Sequence, residues 1–235
     1  MKVKIIVALI SFISCFNVFS LNVLAEEKET RKVDNFSTID LSIPAKMYLE
    51  QGSENKLIIE SDKDVLDEIE TFTKGDELVI RFKKRYKCRG KKSINIFLTA
   101  KDVNELKLFG SGNITVASTM KADEMSLYVS GSGSIQFKNL VTSKVLANLL
   151  GSGSINLQGK QKSSSLDAAI TGSGRINTLD MNFDEVDLKI IGSGTIKAKA
   201  ETDLDVKIVG SGSVYYDGDP LIDANVVGSG RVRRN

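Results

Sequence analysis

The 235-residue sequence contains no histidine and no tryptophan, two prolines and two cysteines. Without an imidazole, a Ser-His-Asp or Cys-His catalytic pair and a His-ligated zinc are excluded. Two cysteines cannot build a disulfide framework. What remains is an ordinary globular composition, 41% apolar and 26% charged, with one anomaly: 19 glycines, fourteen of which fall in seven copies of Gly-Ser-Gly. The glycine content therefore marks a repeat and not a flexible chain.

The first residues have the form of an export signal. Lys2 and Lys4 precede an apolar run from Ile5 to Phe19, and Val23-Leu24-Ala25 places small residues at both positions that a signal peptidase reads. Cleavage is expected after Ala25. Lipidation at Cys15 is the alternative, but Phe12-Ile13-Ser14-Cys15 matches a lipobox poorly and would leave a second apolar run after the cut. Cleavage removes two lysines and no acids, so the mature chain has 30 basic and 30 acidic side chains and no membrane-spanning segment. It also leaves Cys88 as the one remaining thiol, free or paired between molecules. The expected location is periplasmic, outer-membrane-associated or extracellular.

The tripeptides begin at Gly110, Gly131, Gly151, Gly172, Gly192, Gly210 and Gly228, at spacings of 21, 20, 21, 20, 18 and 18. Around each copy the apolar residues alternate, as in Leu127, Val129, Gly131, Gly133, Ile135 and Phe137. Alternation at period two is strand. By this parity both glycines face inward and the serine points out. A strand, a glycine corner, a second strand and a return such as Gln158 to Ser165 make one coil, and stacked coils bury a continuous apolar column. The pattern predicts an all-β solenoid of seven Gly-Ser-Gly coils over residues 110–235. Residues 26–35 are expected to be a linker and residues 36–109 a β cap, with strands at Leu57-Ile58-Ile59 and Leu78-Val79-Ile80 and a helical turn within Asp64 to Thr71. Such a cap keeps the first coil from exposing a sheet edge.

These residues resemble a known family. Phe36-Ser37-Thr38-Ile39-Asp40-Leu41, Met47-Tyr48-Leu49-Glu50-Gln51-Gly52, Leu66 to Thr71 before Leu78-Val79-Ile80, and the Gly-Ser-Gly-x-Ile repeats are similar to the bacterial putative auto-transporter adhesin, head GIN domain family. Ser154-Ile155-Asn156 and Arg175-Ile176-Asn177 approximate its short motif, with the glycine one residue earlier. The resemblance spans essentially the mature chain. It implies a right-handed β-helix-like fold, export to the cell envelope and a role in adhesion, with no established catalytic residues; no cofactor is expected.

The same parity sorts the outer surface into rows. Asp167, Asp187, Asp205 and Asp223 stand five residues before the last four corners, about 4.8 Å apart if the coils stack, where like charges repel. Calcium could neutralise them, as could Lys189 and Lys207. Immediately before the corners, Phe109, Leu150, Ile191, Val209 and Val227 make an apolar row, interrupted by Ser130 and Thr171. Such a row is either covered by the return segments or offered to a partner. The serines of the tripeptides, with Asn113, Ser134, Ser154, Arg175, Thr195, Ser213 and Arg231, form a hydroxyl-rich ridge suited to a glycan or to hydrogen bonding along the stack.

Charge of one sign concentrates in the cap. Ten acids lie between Glu50 and Glu77, and eight basic residues between Arg81 and Lys92. Their opposition points to adjacent strands that neutralise one another, while Arg85, Lys87, Arg89, Lys91 and Lys92 form a turn-like basic loop able to meet an anion. Phe82 and Tyr86 are too few for base stacking, so nucleic acid is not an expected partner. An Asp row with nearby lysines is conceivable as the acid and base of a polysaccharide-acting β-helix enzyme, but repeated rows mark stacking, whereas an active site is one irregular constellation. The sequence therefore points to an exported, non-enzymatic envelope protein that binds a surface ligand, with self-association into homo-oligomers as the alternative.

Overall fold

The structure is a computed structural model that describes residues 27–84, 86 and 92–235. The chain opens with β1 (Glu27–Arg31), β2 (Thr38–Leu41), β3 (Lys46–Gln51), β4 (Lys56–Ser61), the four-residue helix α1 (Lys63–Leu66), β5 (Ile69–Lys74), β6 (Glu77–Phe82) and β7 (Asn95–Ala100). The repeat region follows as β8 (Glu105–Gly110), β9 (Asn113–Lys121), β10 (Glu124–Gly131), β11 (Ser134–Val141) and β12 (Lys144–Gly151). Three long strands then each run from one glycine corner to the next: β13 (Ser154–Gly172), β14 (Arg175–Gly192) and β15 (Thr195–Gly210). The chain ends in β16 (Ser213–Asp217), β17 (Leu221–Gly228) and β18 (Arg231–Arg234).

All neighbouring coils pair in parallel and in register, so that each tripeptide lies against the next: Gly131 opposes Gly110, Gly151 opposes Gly131, and so on to Gly228 on Gly210. The seven corners bound six complete turns, one fewer than the seven coils expected from counting tripeptides. The residues before the corners build one wall and those after it a second. Period lengths between 18 and 21 are absorbed on the return side, where the register shifts between β13, β14 and β15 occur. The alternation sets the core as expected: Leu127, Val129, Ile135 and Phe137 are fully buried, as are their counterparts Ala147, Leu149, Ile155 and Leu157 in the following coil. Each coil alone would leave these side chains half in water; stacking removes them from it, at about 25 cal/mol per Å² of apolar surface.

The two glycines of a corner do different work, which corrects the expectation that both face inward. The first has positive φ, +121° at Gly192, and a Cβ there would lie 2.5 Å from the carbonyl oxygen of Gly172 in the preceding coil. Its missing side chain therefore points along the stack axis. The second faces the core: a Cβ on Gly194 would meet Cγ2 of Ile170 at 2.6 Å. The serine between them binds the stack through its backbone, Ser193 N–H donating to Gly172 O at 2.8 Å, while its side chain is exposed.

The cap does not follow chain order. β2 lies between β6 and β8, and β3 between β7 and β9, so the β2–β3 coil was laid down first but stacks second. Its corner, Ser42-Ile43-Pro44-Ala45, does without the tripeptide and accepts the Asn113 N–H at Ala45 O, 2.8 Å. Beneath the β6–β7 coil, β4 pairs antiparallel with β7 and β5 antiparallel with β6, with α1 between them burying Val65 and Leu66 against the column. The expected short helical turn is α1, which begins one residue earlier at Lys63, while Ile69 to Thr71 belong to β5. The segment expected as a linker supplies β1, which pairs antiparallel with β4. Glu27–Arg31 carries no apolar periodicity because it is a charged, exposed edge strand, the usual device against further pairing. Arg31 ties the cap together, its guanidinium donating to Ile69 O at 2.7 Å and Leu66 O at 2.8 Å.

Candidate functional site

The wall before the corners presents three parallel outer rows. Nearest the corner, Phe109, Ser130, Leu150, Thr171, Ile191, Val209 and Val227 stand in unbroken register. Leu150, Ile191, Val209 and Val227 are 40% to 61% exposed, so the return segments do not cover them. Phe109 departs from the row: its ring leans on Tyr128, centroids 5.5 Å apart, and it is half-buried. In the last coil Ile222 and Val226 of β17 are exposed for a different reason: they stand in register on the core residues Leu204 and Ile208 and do not belong to this row. The row is built from β-branched and leucine side chains whose inward neighbours Leu149, Ile190 and Ile208 already fill the core, so folding of the column does not require them.

Four residues before that row, Asp167, Asp187, Asp205 and Asp223 form the expected ladder. Lys189 and Lys207 stand in register between the aspartate and apolar rows and line one shallow groove with Asp167, Asp187 and Asp205. Among the described residues no group of three or more acids, cysteines or histidines converges closely enough to hold a metal ion. The aspartates make a straight line and not a cage, and adjacent lysines offset their repulsion.

The basic loop falls in sequence between β6 and β7. Arg85, Lys87, Arg89 and Lys91 lie outside the described residues, as do Cys88, Cys15 and the export signal. Lys92 is described, and its charge is committed: Nζ donates to Asp64 Oδ2 at 2.8 Å and lies 2.9 Å from Asp62 Oδ2. These two carboxylates, Asp64 foremost, hold its ammonium well above the ordinary lysine range, and Lys92 in turn holds the Asp64 carboxyl low. Arg81 Nε bonds Glu70 at 3.1 Å across the β5–β6 pair, so part of the opposed charge in the cap is neutralised between adjacent strands, as expected.

The wall after the corners carries a feature the sequence reading passed over. Tyr48 on β3 and Phe97 on β7 are directly opposed across a parallel pair, their rings stacked with centroids 5.3 Å apart and 17° between planes. They are 44% and 39% exposed. Their row continues across the stack through Thr115, Gln136, Asn156 and Asn177, and Asn177 Nδ2 donates to Asn156 Oδ1 at 3.0 Å. Tyr48 stands between inward Met47 and Leu49, so its outward parity was legible; its partner was not, because the β3–β7 register joins residues about fifty positions apart.

The family model described as putative auto-transporter adhesin, head GIN domain, matches residues 35–220. The chain belongs to that family. Solved structures of similar fold include a putative adhesin from Bacteroides fragilis (22% identity, TM-score 0.85, covering 89% of this chain and 97% of that one). A putative lipid binding protein from Parabacteroides distasonis (24%, TM-score 0.74, 90% and 97%) and a putative adhesin from Parabacteroides merdae (23%, TM-score 0.70, 90% and 96%) share the fold as well. No curated protein matches the chain. Among the described residues no helix is long and apolar enough to cross a membrane. In this head GIN domain the repeat supplies straight outer rows, and the two walls present different chemistry: apolar and charged before the corner, aromatic and amide after it.

Proposed function

We propose that the chain is an exported, non-enzymatic attachment module of the bacterial cell envelope that meets its partner with the apolar corner row. The observation that carries this reading is the exposure of Leu150, Ile191, Val209 and Val227 in register along one edge of the stack. Single exposed apolar side chains are ordinary, but an aligned series flanked by polar rows marks an interaction surface. Membership of an adhesin-described family supports attachment. Lys2, Lys4, the following apolar run and Val23-Leu24-Ala25 support export. The lack of histidine and the repetition of every polar row support a binding role in place of catalysis.

Expression of the full chain followed by fractionation and N-terminal sequencing tests the export step. Glu26 is the expected first residue of an envelope or secreted species; a cytoplasmic protein that keeps Met1 or Lys2 overturns it. The exposed core-register positions Ile222 and Val226 of the last coil favour one second reading, in which two copies bury this end of the column together. Sedimentation decides between them: a dimer abolished by Ile222→Ser with Val226→Ser supports self-association, and a monomer at all concentrations removes it.

A further inference from the structure

The Tyr48–Phe97 pair forms one side of a recess of about 390 Å³, bounded by Glu50, Thr99, Thr115 and Ser118. That volume lies within the range of small-ligand sites, about 300–1,000 Å³. Three features set the recess apart from an ordinary cross-strand contact. The same row is polar in the succeeding coils, at Thr115, Gln136, Asn156 and Asn177, so the wall stacks without aromatic rings at this register. At Ala117 and Ser118, β9 carries one residue more than β11, a bulge that leaves both side chains exposed and makes the lip of the recess; bulges of this kind re-aim side chains beside sites. Finally, Glu50 is fixed in place by the Thr99 hydroxyl, which donates to its Oε1 at 3.0 Å, leaving the second carboxylate oxygen as an acceptor at the rim.

An exposed aromatic ring beside a carboxylate and hydroxyls is the combination that recognises a pyranose: the apolar C–H face of the sugar packs on the ring face, and its hydroxyls donate to fixed oxygens. From this geometry we infer that the Tyr48–Phe97 recess binds one ring of an uncharged glycan, with the rest of the chain running over Thr115 toward Gln136 and Asn156. The Glu50 carboxylate sets the preference against acidic sugars, because an anion placed against it is repelled. The coil spacing of about 4.8 Å offers a polar side chain at each step along such a chain. This inference names a ligand class for the surface-binding reading but uses the wall opposite in chemistry to the apolar row, so the two can fail separately.

The test uses the exported chain with soluble hexasaccharides of β-linked glucose, mannose and N-acetylglucosamine, and a hexamer of galacturonate as the acidic counterpart, followed by titration calorimetry and by NMR shifts of the tyrosine rings. At least one neutral hexamer is expected to bind at least tenfold more tightly than the galacturonate hexamer. Tyr48→Ala and Phe97→Ala are each expected to weaken that binding at least tenfold, Tyr48→Phe to keep it within about threefold because the ring remains, and Glu50→Gln to raise the galacturonate hexamer's relative affinity. Leu150→Ser with Ile191→Ser is expected to leave it unchanged. Absence of binding by every neutral hexamer, or binding indifferent to Tyr48→Ala in a protein whose thermal melt is unaltered, overturns the inference. Attachment lost in the apolar-row variant but kept in Tyr48→Ala leaves the attachment reading standing without this site.

Discussion

Replacing Gly192 by alanine separates the two reasons for glycine at the corners. At φ +121° an L side chain sits in a backbone region that costs about 1–3 kcal/mol. Its Cβ would also lie 2.5 Å from Gly172 O, nearly an ångström inside the 3.4 Å at which ordinary contact begins. The obstacle is backbone, and that same oxygen accepts the Ser193 N–H at 2.8 Å, so relief requires moving two coils apart and weakening a bond worth about 0.5–1.5 kcal/mol. Gly192→Ala is therefore expected to cost about 1.5–4.5 kcal/mol. Gly110 provides the control: its φ is +93°, but a Cβ there meets nothing within 4 Å, so Gly110→Ala carries only the conformational cost, about 1–3 kcal/mol. Gly194→Ala presses on Cγ2 of Ile170, a side chain that can yield, and should fall between about 1 and 3 kcal/mol. Ser193→Ala, outward and exposed, should lie within about 0.5 kcal/mol of the parent. Urea titration of the chain from Glu26 onward reads all four, provided m is unchanged. If Gly192→Ala costs no more than Gly110→Ala, the close approach of successive corners is not what selects glycine.

Asp40 offers a pH test. Its half-burial raises its carboxyl above the ordinary value of 3.8, with Glu77 adding to the shift and the Ser42 hydroxyl and the Lys107 and Arg81 cations opposing it. A raised folded-state value means that the native protein binds the proton more tightly than the unfolded chain, so stability falls as pH rises from 3.8 through that value. Asp40→Asn is expected to stabilise at pH 7 by less than about 1 kcal/mol, with the gain gone below pH 3.8; an equal effect at pH 3 and pH 7 contradicts this. The aspartate ladder offers another: since no cage converges around Asp167, Asp187, Asp205 and Asp223, millimolar calcium or chelator should leave the thermal midpoint within about 1 °C, whereas a shift of several degrees would indicate a bound ion.

The repeat was legible because one signal served two purposes. Parity around each tripeptide placed Leu127, Val129, Ile135 and Phe137 in the core, and the near-constant spacing stacked the outer rows that the structure aligns. The first corner glycine was misread because parity describes a regular strand, and a residue at φ above +90° no longer alternates with its neighbours. The cap order escaped as well: strand alternation in β2 and β3 looks the same whether they stack first or second, and only the pairing of Leu41 with both Ile80 and Leu108 decides it. For the same reason the apolar row, made of one residue per period, could be listed from the sequence, whereas Tyr48 and Phe97 meet only through a register that no local pattern encodes. Glu27–Arg31 gave no strand signal because an exposed edge strand has no buried face to produce one.

Cell attachment measures the surface-binding claim directly. Cells that display the wild-type chain and cells that display Leu150→Ser, Ile191→Ser, Val209→Ser and Val227→Ser together are compared on mucin-coated and bare polystyrene surfaces, with non-displaying cells as the baseline. The four side chains lie outside the core column, so the variant should unfold close to the parent, each substitution contributing within about 0.5 kcal/mol. Wild-type display is expected to raise attachment severalfold over the baseline and the variant to return it there. A folded variant that attaches as well as the wild type, or a wild-type chain that confers no attachment, contradicts the assignment of the corner row as the surface this protein uses.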